Sequence, residues 1–460
     1  MRRVLVPLLL LLAACGPSLP PGPGVALPEV AGLPAGIVLV VIDTLRADHT
    51  SLHGYERDTT PFLRELARES LVFERAYACA SWTRPSMASL LSSRLPESHG
   101  CERRDGRLSD SVLTLPEVLR ANGWDTRAVV ANGNLAAVFG FAQGFESFRN
   151  PKGRPLQPYA DAAFLQPLVQ QVLAELNVPP YFLWLHYVDP HDPYLPHPEH
   201  DWNPDYSGTF DGTDAALEPY RLRAPSPANR QRVIDLYDGE IAFVDKWLRE
   251  HLRPLQDSGQ LDNCWLVVTS DHGEGLWDHK ALGHCEEVYE AQVRVPLLIR
   301  PPGGLREPRR VSQVFSLLDL APTLLELVGV PPCADFDGLS WAPFLLGQGA
   351  APERPVFVDQ QVDDIALAAV IDGRRKLIAD GRTERVRFFD LATNPGESDE
   401  LATDVARDPT PPALELRDAM ERALTQARAR RPDDTRVPPG LVPAEVQDQL
   451  RALGYGGAPR

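Results

Sequence analysis

Residues 36–43 read GIVLVVID, an unbroken apolar run that stops at an acid. Successive side chains of a strand point to opposite faces, and here neither face is polar. A strand of this kind is buried on both sides, which places it inside a parallel sheet with helices above and below. The rest of the chain keeps that alternation. TPFLRELARES is amphipathic, with Thr60 and Pro61 as start signals, and VFERAYA follows as a strand. TLPEVLRANG, DAAFLQPLVQQVLAEL, NRQRVIDLYDGEIAFVDKWLREHL and SLLDLAPTLLELVG read as helices. DTRAVVA, YFLWLHYV, CWLVVTSD and VPLLIRPPGG read as strands between them. The expected fold is α/β: a doubly wound, mostly parallel sheet with helices on both faces.

After residue 350 the texture changes. PVFVDQQ, LAAVIDG, RRKLIAD and VRFFD are short, alternating and separated by turns, so residues 351–430 are expected to form a small subdomain with an antiparallel sheet. Residues 411–430 read as a surface helix, and the Pro-rich stretch 431–460 as a surface tail. The length of 460 residues agrees with one large domain, 36–350, plus a smaller one. A net charge of −17 argues against a nucleic-acid partner. An anionic substrate would need a local positive device to draw it in.

The first 15 residues read as a targeting segment: MRR is basic, VLVPLLLLL apolar, and AAC small. LLAAC resembles a bacterial lipobox, which would make Cys15 the lipidated residue and 16–35, rich in Pro and Gly, a tether. The expected address is the cell envelope on the periplasmic side, bound to a membrane through that lipid. Gly16, where an Asp would mark inner-membrane retention, leans toward the outer membrane. A simple cleaved signal is the other reading. Of the remaining cysteines, Cys79 and Cys101 are the natural pair for a disulfide in such a compartment.

Open α/β sheets bind ligands beyond the carboxyl ends of their strands. Asp43 ends the first strand, and Asp271 with His272 ends LVVTSD. Two carboxylates and an imidazole make a divalent-cation site. WLHYVDPHDPY supplies His186, Asp189, His191 and Asp192, and WDHKALGHCEEVYE supplies His279, Lys280 and His284. His186 reads as a buried strand-end histidine. In SWTRPSMASLL, Pro85 suits the first helical position and leaves Thr83 at the positive end of the helix dipole, as a cap or as a nucleophile.

From about Ile37 to about Asp390 the sequence resembles the sulfatases of the alkaline-phosphatase superfamily. The matching pieces are VVIDTLRADHTSLHGY, WTRPSMASLLSS, FLWLHYVDPHDPY, YDGEIAFVD, SDHGEGL, GHCEEVYE, VPLLIRPP and FFDL, in family order. The resemblance implies a large α/β domain holding metal and nucleophile, then a small four-stranded domain. Where the family carries Cys-x-Pro-Ser-x-Arg and converts its Cys to formylglycine, this chain reads Thr83-Arg84-Pro85-Ser86-Met87. No formylglycine is expected. Thr83 is the expected nucleophile, activated by one divalent metal, as in superfamily members that use a metal-bound Thr. The ligands would be Asp43, Thr83, Asp271 and His272. That set favours Mn, Zn or Mg, with Ca left open.

By the same resemblance, His191 is the acid for the leaving oxygen, His284 a second hydrogen-bonding group, and Arg46 a support for the nucleophile loop or the anion. Arg84, Asn132 and Lys280 are candidates for substrate binding. The expected reaction is hydrolysis or transfer of a sulfate or phosphate ester borne by a glycan, lipid or small molecule. Phosphate mono- or diesters are favoured, because a threonine ester cannot expel its anion by collapsing to an aldehyde. The alternatives are a sulfatase that works without formylglycine, and a catalytically silent fold that binds an anion or glycan.

Overall fold

The computed structural model describes residues 34–151, 160–176, 179–279, 281–438 and 440–455. The leader, Cys15 and residues 16–33 of the tether lie outside them, as does Lys280. Gly36–Ile42 is β1, and every one of its residues is buried. Ile37, Leu39 and Val41 enter one apolar cluster, and Val38, Val40 and Ile42 enter another on the opposite face. Burying such side chains contributes roughly 1.5–3 kcal/mol each.

The strands that follow are β2 (Leu71–Tyr77), β3 (Asp125–Val130), β4 (Ser147–Arg149), β5 (Tyr181–Tyr187), β6 (Cys264–Thr269), β7 (Gly275–Leu276), β8 (Leu282–Gly283), β9 (Arg294–Arg300) and β10 (Arg309–Ser316). Eight of them form the main sheet in the order β10-β2-β9-β6-β1-β5-β3-β4. Only β9 runs against its neighbours β2 and β6; the other pairs are parallel. β7 and β8 make a separate antiparallel pair.

Helices cover both faces. Leu90 and Leu91 of the helix Thr83–Ser92, Leu119 of Leu115–Ala121 and Leu324 of Leu320–Leu327 pack on one side. Leu165 and Val169 of Ala162–Glu175 pack on the other, with Leu236, Ile241, Leu248 and Leu252 of Pro227–Asp257. The apolar residues of this 31-residue helix recur at helical spacing, and Ser226 caps its start by accepting from the Asn229 amide.

The small sheet is antiparallel, β11 (Val356–Val362), β12 (Ile365–Asp372), β13 (Arg375–Asp380), β14 (Arg385–Asp390) and the two-residue β15 (Thr403–Asp404). The expected surface helix runs over Pro411–Arg428 and packs one face on this sheet. Ala413, Leu416 and Met420 bury against Val370 and Leu377 of that sheet.

Three expectations are corrected. Cys79 and Cys101 are free thiols, each fully buried in a different apolar cluster. The helix Thr83–Ser92 begins at Thr83 itself, so Pro85 sits at its third position. The stretch 431–455 is not a surface tail throughout. It forms a second helix, Ala444–Ala452, buries Leu453, and carries Tyr455 inward. Among the described residues, no helix is long and apolar enough to cross a membrane.

Candidate active site

The strands β6, β1, β5 and β3 are consecutive and parallel, so their carboxyl ends open on one rim. Each end delivers polar residues there: Asp271 and His272 after β6, Asp43 after β1, His191 after β5, and Asn132 after β3. The turn after β1 is held from several sides. Thr44 adopts φ 56°, an uncommon value for a threonine, and its amide donates to Asp271 Oδ1 (3.3 Å). The Leu45 amide donates to Ser270 Oγ. Tyr237, from the long helix, accepts from the Arg46 amide and donates to the Thr44 carbonyl at 2.6 Å.

Thr83 opens a ten-residue helix in which every residue is buried, and no side chain caps its start. The positive end of the helix dipole is thus left to meet negative charge at Thr83. Ser86 Oγ donates to the Asp271 carbonyl at 2.6 Å and locks the first turn to the end of β6. The Thr83 hydroxyl lies 3.5 Å from Asp43 Oδ2, 3.3 Å from His272 Nε2 and 3.4 Å from Asn132 Nδ2. Asn132 also donates to Asp43 Oδ2 at 2.5 Å.

His272 Nδ1 donates to the Gly273 carbonyl at 2.8 Å, which leaves Nε2 with its lone pair. That nitrogen faces Asp43 Oδ1 at 3.5 Å and Asp271 Oδ2 at 3.6 Å, oxygens with no hydrogen-bond partner despite full burial. His186 Nε2 stands 3.8 Å from Asp271 Oδ2, and neither of its ring nitrogens has a hydrogen-bond partner. The converging carboxylate oxygens and imidazole nitrogen of Asp43, Asp271 and His272 could hold a divalent cation. Burial, then the neighbouring charge of Asp271, pushes the Asp43 carboxyl up. Burial opposes the charge of Asp271 too, but His272 and His186 hold that carboxyl below its usual range. Burial pushes His272 down, which keeps its imidazole neutral and able to ligate.

Next to this group, His284 packs 4.6 Å from the His272 ring and 4.8 Å from the His191 ring. His191 Nδ1 is held by the Asp192 carbonyl at 2.7 Å and by its carboxylate at 3.0 Å. Arg221 pairs with Asp192 from behind. Nε2 of His191 is buried without a partner. Burial alone would lower His191, but the hydrogen bond and charge of Asp192, helped by Asp43 and Glu274, bring it up to about 10. Burial and the charge of His191 push His284 down to about 3. The two imidazoles are therefore set apart, one cationic and one neutral. His284 Nδ1 lies 3.1 Å from Glu274 Oε1, and Nε2 lies 2.5 Å from the hydroxyl of Tyr455.

One of the two candidate arginines sits elsewhere than expected. Arg84 points away from the rim, because one step along a helix turns a side chain by about 100°. Its guanidinium donates to the carbonyls of Arg103, Arg104, Gly106 and Asn134 and to Asn134 Oδ1, and lies 3.7 Å over the Phe139 ring. It holds the 103–106 loop rather than a ligand. Arg46 is bound to Asp48, Asp278 and the Glu274 carbonyl, so it supports the loops around the site. Lys280 lies outside the described residues. Tyr455 had no local signal in the sequence; its partner His284 is 171 positions away.

Residues 36–330 match the family model Sulfatase, and residues 275–428 match N-sulphoglucosamine sulphohydrolase, C-terminal. A multifunctional alkaline phosphatase superfamily protein of Trinickia caryophylli, PehA, is 26% identical over 85% of this chain and 94% of its own. A Delta 4,5-hexuronate-2-O-sulfatase of Bacteroides thetaiotaomicron is 22% identical over 80% of this chain and 84% of its own. Among solved structures, one in complex with its substrate D-glucosamine-2-N,6-O-disulfate superposes with a TM-score of 0.72 at 20% identity, covering 88% of this chain and 99% of that one. The phosphonate monoester hydrolase of Agrobacterium radiobacter gives 0.68 at 22% identity, covering 86% and 95%. With the sulfatase model spanning well over half of the sequence, the chain belongs to the sulfatase family and is a hydrolase of the sulfatase and alkaline-phosphatase superfamily.

Proposed function

We propose that this enzyme cleaves a phosphate mono- or diester through Thr83 as nucleophile, with a single divalent cation held by Asp43, Asp271, His272 and the Thr83 oxygen. The observation that carries the reading is the convergence of Asp43, His272 and Asn132 on a fully buried threonine hydroxyl at a helix start. A cation in that nest would supply Lewis-acid charge and favour the ionised form of the hydroxyl it touches.

The chain's own groups do the rest. Asn132 Nδ2 fixes Asp43 and Thr83 relative to each other. Thr83 Oγ1, its proton already released to solvent water, forms a bond to phosphorus as the ester P–O bond breaks. His191 Nε2 gives its proton to the departing oxygen, and Asp192 stabilises the cationic ring before transfer. Water then attacks the same phosphorus, His191 takes up the water's proton, and the Thr83–phosphorus bond breaks. Sulfate ester cleavage by the same groups is the second reading, supported by the sulfatases among the relatives.

A panel of nitrophenyl phosphate, phosphodiester, phosphonate and sulfate substrates, run on the metal-analysed protein, tests the proposal. Phosphorus esters should turn over fastest, and Thr83→Ala should lose turnover while keeping most of its metal. Sulfate turned over first would select the second reading; no turnover of any ester would leave a silent anion binder. Lipid attachment at Cys15, with residence on the periplasmic side of the envelope, is part of the proposal. Loss of membrane association in Cys15→Ser tests it.

A further inference from the structure

The helix Ala444–Ala452 rests beside the Gly133–Leu135 turn, next to Asn132. Gln449 donates to the Pro151 carbonyl at 3.0 Å, and it alone of the helix residues is buried. It presses so close to Gly133 that a Cβ there would meet the Gln449 Cβ at 2.8 Å. Leu453 is buried and Gly454 takes φ +74°, which glycine adopts freely. The chain then places Tyr455 in the active site.

The Tyr455 ring lies in a slot walled by other rings. Trp82, His191 and His284 are each 6.0 Å away between centroids, and the Arg104 guanidinium stands 5.7 Å over its face. Its hydroxyl is 2.5 Å from His284 Nε2. With the ring in place, Thr83, Asp43 and His272 have no exposed surface. A nucleophile sealed in this way cannot receive an ester until something moves. The part with the slighter hold is the helix carrying one buried residue. Immediately outside lies a cavity of about 540 Å³, lined by Arg104, Asp192, Arg221, His284 and Tyr455 itself.

We infer that the Tyr455 slot is the leaving-group subsite, that it takes the ring of an aryl ester, and that residues 443–455 are an internal occupant which the substrate displaces. The inference rests on the reading of Thr83 as nucleophile. A phenol ring packed beside His191, the acid for the leaving oxygen, and bonded through its hydroxyl to His284 Nε2 occupies the place of a departing aryl group. The flat ring between Trp82 and Arg104 occupies the place of the aryl group.

The test compares the full-length metal-loaded enzyme with Tyr455→Ala and Tyr455→Phe. Calorimetric binding of phenol and kcat/KM for nitrophenyl and methyl esters of one acid are the readouts. An internal ligand lowers apparent affinity by the fraction of molecules it leaves open, so Tyr455→Ala should bind phenol about tenfold more tightly than the parent. Its kcat/KM should rise by a similar factor for the nitrophenyl ester and by less for the methyl ester. Tyr455→Phe, which keeps the ring without the hydroxyl, should fall between. Equal phenol binding in all three proteins, an equal gain for both esters, or a fall of kcat/KM in both variants would overturn the inference. Tighter phenol binding by Tyr455→Ala with no turnover by any form would uphold the slot and refute the nucleophile instead.

Discussion

His191 and His284 have the same side chain, rings 4.8 Å apart, and opposite settings. Asp192 accounts for the difference, since it grips His191 and leaves His284 to feel burial and a neighbouring cation. A group held at about 10 is protonated at neutral pH and loses its proton only as pH climbs through that value. The alkaline limb of kcat/KM should therefore be set by His191, and Asp192→Asn should move that limb to lower pH. An unmoved limb in the pH profile would remove His191 from the reaction. His191→Asn should cost on the order of 10²–10⁴ with poor alkyl leaving groups and far less with nitrophenol, which needs no proton. Arg84 gives the opposite kind of test. Arg84→Met should leave KM within a factor of about two but lower the melting temperature. The Gly106 carbonyl, its buried partner, would lose a donor, at about 1–3 kcal/mol for a group left unsatisfied.

At the scale of elements, the site depends on neighbouring strand ends being pinned. Tyr237 of the Pro227–Asp257 helix bridges the Arg46 amide and the Thr44 carbonyl, beside a residue at positive φ. Tyr237→Phe should destabilise the fold by roughly 1–3 kcal/mol and weaken metal binding, read by denaturant melts and metal titration. The elements legible in the sequence were those with a strong pattern. GIVLVVID and CWLVVTSD are buried on both faces, and so their terminal acids stood out. β10 was not legible, because at the sheet edge its RRVSQVFS has mostly exposed or half-buried positions and no apolar run. Arg84 misled because adjacency to Thr83 in sequence is not adjacency on a helix. Cys79 and Cys101 misled because closeness along the chain does not bring two thiols into the same part of the core.

In the whole molecule, the small sheet is tied to the large domain by charge as well as by packing. Lys376 of β13 is fully buried, 3.1 Å from Glu290 and 2.8 Å from Glu397, and Tyr77 of β2 donates to the same Glu290. Lys376→Met should cost about 3–5 kcal/mol, since it leaves buried carboxylates without their cation, and a thermal melt reads the loss. Tyr455 belongs to this scale too. No local pattern announces a side chain that crosses the molecule to meet His284, and the surrounding prolines and charges resemble any solvated tail. The account as a whole turns on Thr83. Peptide mass spectrometry of enzyme quenched during turnover of a phosphate ester tests that claim most directly. A phosphoryl adduct on the peptide carrying Thr83 is the predicted result. Steady turnover with Thr83 unmodified at every time sampled would contradict it.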